Sequence, residues 1–152
     1  MIKRVSIAAL SVSAATLVGI ALYEGYRGDA YIPVKGDVPT IGFGATSGVK
    51  IGDKTTPERA LVTLLADVNS HSEGIKRCIH VPLYQHEFDA YSSFAYNVGV
   101  GAFCKSTLNR KLNSGDYVGA CNELKRWVYA GGRKLPGLVK RREQERRLCL
   151  GY

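Results

Sequence analysis

A mostly helical α+β domain is the fold class this sequence predicts, and three observations carry it. Apolar residues recur at helical spacing in several runs between residues 56 and 150, each bounded by capping or breaking residues. Residues 30–46 differ in kind and read as strand, turn and strand. The chain has 152 residues, of which 45% are hydrophobic and 22% charged, so it is long enough for one compact domain and too apolar for disorder over most of its length.

The first element is a charge-free run, Val5 to Leu22, preceded by Lys3 and Arg4. As a helix these eighteen residues would extend roughly 27 Å at about 1.5 Å per residue, just enough for a bilayer core. Ten of them are Ala, Ser, Thr or Gly, so the run inserts more weakly than a leucine-rich anchor, and it is able to leave again. Basic residues before it and a mixed set after it place the N-terminus in the cytoplasm and the rest outside. The expected division is therefore a signal-anchor segment, 1–22, and a folded domain, 23–152. A cleavable secretory signal and an ordinary buried helix are the alternatives. The length of the run, and the lack of a polar stretch before Glu24, favour an uncleaved segment over a cleaved one.

The hairpin follows. Ala30-Tyr31-Ile32-Pro33-Val34 and Val38-Pro39-Thr40-Ile41-Gly42-Phe43-Gly44 read as strands around a turn at Lys35-Gly36-Asp37. Thr56-Pro57-Glu58 then opens a helix through Ile75, with a capping residue and proline at the first helical position. Tyr84 to Asn97 carries Phe88, Tyr91, Phe94 and Ala95 at helical spacing. Ser106 to Leu112 is a short helix ended by Asn113-Ser114-Gly115, Asp116 caps another that runs to Trp127, and Leu138 to Leu150 is a charged amphipathic C-terminal helix.

Cys78, Cys104, Cys121 and Cys149 are an even set without the two close pairs of a zinc site, and export would place them in an oxidising compartment. Cys78 and Cys104 lie on either side of one helix, while Cys121 and Cys149 flank the connection at 131–137, so pairing within each couple is favoured. Four buried free thiols are the alternative. His71, His80 and His86 have no metal-ligand spacing and read as surface or turn residues; no metal or cofactor is expected.

Lys and Arg exceed Asp and Glu by 21 to 13, a net charge of +8. Such a field attracts nucleic acid, membrane surfaces and other polyanions alike and cannot choose among them. Glu24 followed by a hairpin with Asp37 and Thr40 is the chemically suggestive cluster, because a carboxyl at a helix end facing a sheet is how paired-carboxylate chemistry is built. A solvated acid and a turn aspartate account for that spacing equally well.

The wording of the chain is more specific. Glu24-Gly25, Ala30-Tyr31, Gly36, Thr40-Ile41-Gly42-Phe43-Gly44, Phe94-Ala95-Tyr96-Asn97-Val98-Gly99, Ser106-Thr107-Leu108, Arg126-Trp127 and Leu135-Pro136-Gly137-Leu138 occur in that order. Across about residues 22–150 this resembles the phage lysozyme (endolysin) family, glycoside hydrolase family 24. The weakly hydrophobic start resembles that of its signal-arrest-release members, which host secretion machinery exports tethered and inactive.

The resemblance implies a lysozyme-like fold, with a small β-hairpin lobe, a larger helical lobe and a glycan cleft between them. It implies a muramidase that cuts the β-1,4 bond between N-acetylmuramic acid and N-acetylglucosamine. Glu24 matches the family glutamate, the general acid, and Thr40 the threonine that helps position the attacking water. The family acid two residues after the tyrosine matching Tyr31 is replaced here by Pro33. Asp37 is the natural substitute, ahead of Asp29, and Ala45 stands where a histidine often follows the glycines. Tyr96, Asn97 and Arg126 would line the sugar cleft. Arg141 or Arg142 would support Glu24, and Trp127 reads as core.

The expected partners are peptidoglycan strands, the host inner membrane through residues 5–22 and the secretion machinery. Nucleic acid is not among them, and nothing requires more than a monomer. The expected location is the periplasmic face of the inner membrane and, after release, the periplasm. Two rivals remain at this level: a noncatalytic membrane-anchored murein-binding protein, and a lytic transglycosylase that cuts the same bond without water.

Overall fold

The computed structural model describes residues 1–152. The chain forms two compact units, one of Leu17–Asp67 and one that joins Met1–Thr16 to Val68–Tyr152.

The smaller unit begins within helix α1 (Ala14–Glu24), which buries Ile20 and Ala21 and leaves Val18 and Leu22 exposed. Gly25 ends it with φ +70°, a left-handed conformation that glycine adopts without steric cost, and its N–H closes on the Ala21 carbonyl at 3.0 Å. Strand β1 (Arg27–Tyr31) pairs antiparallel with β2 (Thr40–Gly42), with Tyr31 opposite Thr40 and Arg27 opposite Gly42. The first strand thus lies three residues earlier than the sequence predicts. Pro33 has no N–H to give a ladder and restrains the residue before it, so pairing stops at Tyr31 and residues 32–38 form an exposed connection.

Gly42 is needed on two grounds. Its φ is +65°, and a Cβ there would lie 2.9 Å from the Ala60 Cβ of α2 (Pro57–Lys76), whose Ala60 and Leu64 are buried. Gly42→Ala is expected to destabilise the protein by about 1–3 kcal/mol, read as a lower denaturant midpoint at unchanged slope. Thr56 and Pro57 open α2 as predicted: the Thr56 hydroxyl accepts from the Arg59 N–H at 3.4 Å, and Pro57 fills the first helical position.

The larger unit is built around α3 (Gln85–Val98), buried from Glu87 through Ala95. Phe88, Tyr91 and Phe94 are fully enclosed with Phe103, Leu108, Leu112 and Leu124, contributed by α4 (Val100–Lys105), α5 (Thr107–Asn113) and the turn after α6 (Tyr117–Glu123). α4 is absent from the sequence reading, because six residues between Gly99 and Ser106 are too few to show a period. Asp116 caps α6 by accepting from the Gly119 N–H at 2.9 Å; the α-helix stops at Glu123 and tightens to a 3₁₀ turn, short of the predicted Trp127. A two-residue hairpin, β3 (Tyr129–Ala130) with β4 (Arg133–Lys134), leads to α7 (Pro136–Cys149). Cys78 is bonded to Cys104 and Cys121 to Cys149, with Cα–Cα separations of 5.7 and 5.6 Å.

Lys111 binds Glu123 at 2.6 Å, and this hydrogen bond holds the Glu123 carboxyl below the usual carboxylate range, with Arg126 adding to the effect. A lowered folded-state pKa adds stability above the ordinary carboxylate range that disappears as pH falls through the folded value. Glu123→Gln is therefore expected to lose less stability on acidification than the parent, which melting curves across the acid range would show.

The apolar run Val5–Leu22 is not one helix. Val5 and Leu83 exchange backbone hydrogen bonds at 2.9 Å, Ile7–Ala9 make a 3₁₀ turn, and α1 starts only at Ala14. Ser13 fixes that start, its hydroxyl accepting from the Thr16 N–H at 3.2 Å. No helix is long and apolar enough to cross a membrane.

Candidate functional site

Glu24 is the last residue of α1, half-buried, and Gly25 releases the chain straight into β1. Its carboxylate approaches the backbone just beyond β2: a Cβ on Gly44 would lie 3.2 Å from Glu24 Oε2, and Gly44 has φ +91°. Only glycine combines that conformation with that clearance. The short loop that carries Gly44 is closed by Ile41 and Ala45, which exchange two backbone hydrogen bonds of 2.9 Å. Thr40, the first residue of β2, is buried, and its hydroxyl donates to the Val38 carbonyl at 3.2 Å. Helix end, strand start and glycine loop therefore belong to one small framework that fixes an acid and a hydroxyl.

The two candidate aspartates are both exposed. Asp37 lies in the connection between β1 and β2, where its side chain accepts from the Val38 N–H at 3.0 Å, while its own N–H donates to the Val34 carbonyl. Asp29 lies within β1 and pairs with Lys54 at 2.8 Å.

In the helical unit, the end of α3 gathers several of the named residues. Asn97 accepts a short hydrogen bond from Arg142 Nη2, and Arg142 Nε donates to the Trp127 carbonyl at 3.0 Å. Trp127 is half-buried and packs its edge against Phe94, with centroids 5.2 Å apart. Tyr96 is half-buried against His71 at 5.2 Å. Arg126 is exposed, on the turn beside Trp127, and pairs with Glu123 at 3.3 Å.

Arg141 and Arg142 are not on an exposed basic face. They are 6% and 1% exposed, and both bind Glu145, itself 2% exposed. Arg142 Nη1 reaches Oε2 at 2.6 Å and Arg141 Nε reaches Oε1 at 3.1 Å, while the Ser93 hydroxyl of α3 donates to Oε1 at 2.8 Å. Glu145 and Ser93 escape the sequence reading, whereas Gly44 stands in it only as part of the glycine motif and gains its relation to Glu24 here. The spacings i,i+3 and i,i+4 from Arg142 and Arg141 to Glu145 are legible, but on a helix this rich in charge they read as a solvated face.

Comparison with known proteins agrees with this architecture. The phage lysozyme family model matches residues 21–145. An endolysin of Acyrthosiphon pisum secondary endosymbiont phage 1 is 41% identical over 143 residues, covering 91% of this chain and 97% of the relative. The SAR-endolysin of Enterobacteria phage P21 is 37% identical over 145 residues, 93% of this chain and 88% of the relative. Among solved structures, the active form of the phage P1 endolysin Lyz superposes with a TM-score of 0.80 at 26% identity, over 99% of this chain and 96% of that one. The secreted inactive form of P1 Lyz gives 0.52 at 25% identity, over 68% and 74%. A family match over most of the chain, joined to a helix-borne acid beside a short hairpin and a mainly helical second unit, makes this protein a member of the phage lysozyme family, a lysozyme-type glycosidase.

Proposed function

We propose that the protein is an endolysin muramidase that hydrolyses the β-1,4 bond between N-acetylmuramic acid and N-acetylglucosamine during host-cell lysis. The observation that carries this reading is the Glu24–Gly44 approach, which holds a carboxyl at a helix end next to the loop that follows Thr40. Glu24 protonates the departing glycosidic oxygen, Thr40 helps hold the attacking water, and Asp37 orients that water and offsets the oxocarbenium charge. Tyr96, Asn97 and Arg126 contact the glycan, and Arg141 or Arg142 supports the acid. The net charge of +8 favours approach to the carboxylates of peptidoglycan.

The experiment is the release of soluble fragments from dye-labelled peptidoglycan by the purified, oxidised protein and its Glu24→Gln variant. A muramidase releases fragments that the variant does not, whereas a noncatalytic murein binder releases none with either.

The N-terminal run adds a second part. Residues 5–22 tether the exported chain to the host inner membrane, and their departure frees it into the periplasm. The SAR-endolysin relatives support this, as does the longer match to the active than to the inactive form of P1 Lyz. In energised cells the intact chain is expected in the membrane fraction, and after collapse of the membrane potential in the soluble fraction at unchanged mass. A shortened chain in the soluble fraction would instead reveal a cleaved signal.

A further inference from the structure

Arg4 occupies a built site. Its guanidinium grips Glu87 with two nitrogens, Nη2 to Oε1 at 2.7 Å and Nε to Oε2 at 3.0 Å. Two aromatic rings complete the enclosure, the Tyr117 centroid 3.6 Å and the Tyr84 centroid 4.3 Å from the guanidinium carbon. The Glu87 side chain is only 3% exposed and also accepts from the Tyr84 N–H at 2.8 Å, so it is a buried carboxylate at the start of α3 whose cation comes from 83 positions away. A fork of donors on a carboxylate, with aromatic faces beside it, is selective for a planar guanidinium over an ammonium.

The contacts that follow along the chain lead to the same place. Val5 pairs with Leu83, Leu10 enters the core, the Ser11 carbonyl accepts from Gln85 at 2.8 Å, and the Ser13 N–H donates to Asp89 at 2.9 Å. Residues 4–13 are thus a strap laid over the first turns of α3, with Arg4 as its outer fastening.

We propose that Glu87, Tyr84 and Tyr117 form a guanidinium-binding site whose ligand is Arg4 of the same chain, and that filling this site fastens the N-terminal segment to the helical unit. In combination with the tethered-release reading above, on which this last step rests, the contact forms only once residues 5–22 have left the bilayer, because Arg4 precedes the inserted run and stays on the cytoplasmic side until then. An unpaired buried Glu87 is costly, so the fastened state is favoured after release.

The test is amide hydrogen exchange at Val5 and Leu83 in the purified full-length protein, in Arg4→Ala and in Arg4→Lys, each with and without millimolar methylguanidinium. Exchange at both amides is expected to quicken about tenfold or more in Arg4→Ala and less in Arg4→Lys. Methylguanidinium is expected to slow it again in Arg4→Ala and to do nothing to the parent. Unchanged exchange in Arg4→Ala, or quickened exchange that methylguanidinium leaves quick, overturns the site. Should Arg4→Ala fail to fold, Arg4→Lys decides alone, and full protection in it overturns the proposal. None of these readings involves peptidoglycan or membranes, so a failed tether shows in the fractionation experiment and a failed site shows here.

Discussion

Glu24→Gln is expected to lower the rate of peptidoglycan cleavage by about a thousandfold while the unfolding midpoint stays within about 1 °C of the parent. The amide keeps the size of the carboxyl, so the gap left by Gly44 still accommodates it. What is lost is the proton that the glycosidic oxygen takes as the bond breaks. Initial rates on solubilised glycan strands, beside melting curves of both proteins, separate chemistry from stability. A loss below about tenfold would remove Glu24 from the acid role. Asp37→Asn is a milder change on this account, because the Asp37 carboxylate lies on an exposed turn and acts through water.

The largest stability effect is expected at Glu145. Replacing it with Leu keeps the volume but takes away the acceptor shared by Arg141, Arg142 and Ser93 inside the helical unit. Two guanidiniums, 6% and 1% exposed, then lose a carboxylate that they share, and removal of one partner from a buried ionic cluster costs about 3–5 kcal/mol. The variant should melt roughly 10 °C or more below the parent. Glu143→Gln is the control: its pair with Arg146 is at the surface, the Glu143 side chain being 48% exposed, and its loss should cost under about 1 kcal/mol. Equal effects at the two positions would contradict the buried network.

Much of this arrangement is legible in the sequence because local signals and burial agree. Pro57 after Thr56 and Asp116 before a short apolar run each mark a boundary through backbone chemistry, and each boundary is where that chemistry puts it. The departures have equally local causes. Pro33 ends β1 early, which shifts the whole strand towards the N-terminus. The apolar run shows only its composition in the sequence; its shape in this structure comes from distant partners, Leu83 and Asp89, which take its backbone and leave a strap followed by a helix. The ionic cluster on α7 is hidden for the opposite reason: the residues that bury it come from α3, some fifty positions earlier in the chain. Glu24 and Thr40 are suggestive by position and become specific candidates only through the family wording, since a carboxyl and a hydroxyl sixteen residues apart are common in any chain of this composition. Gly44 becomes meaningful only when Glu24 is seen to approach it.

The reaction itself is tested most directly by mass spectrometry of peptidoglycan digested by the purified protein in heavy-oxygen water. Hydrolysis with Glu24 as the acid predicts fragments that end in reducing N-acetylmuramic acid and carry one heavy oxygen at that end. Fragments ending in 1,6-anhydromuramic acid with no heavy oxygen would contradict it, showing that the muramic acid's own hydroxyl, and not water, completes the cleavage.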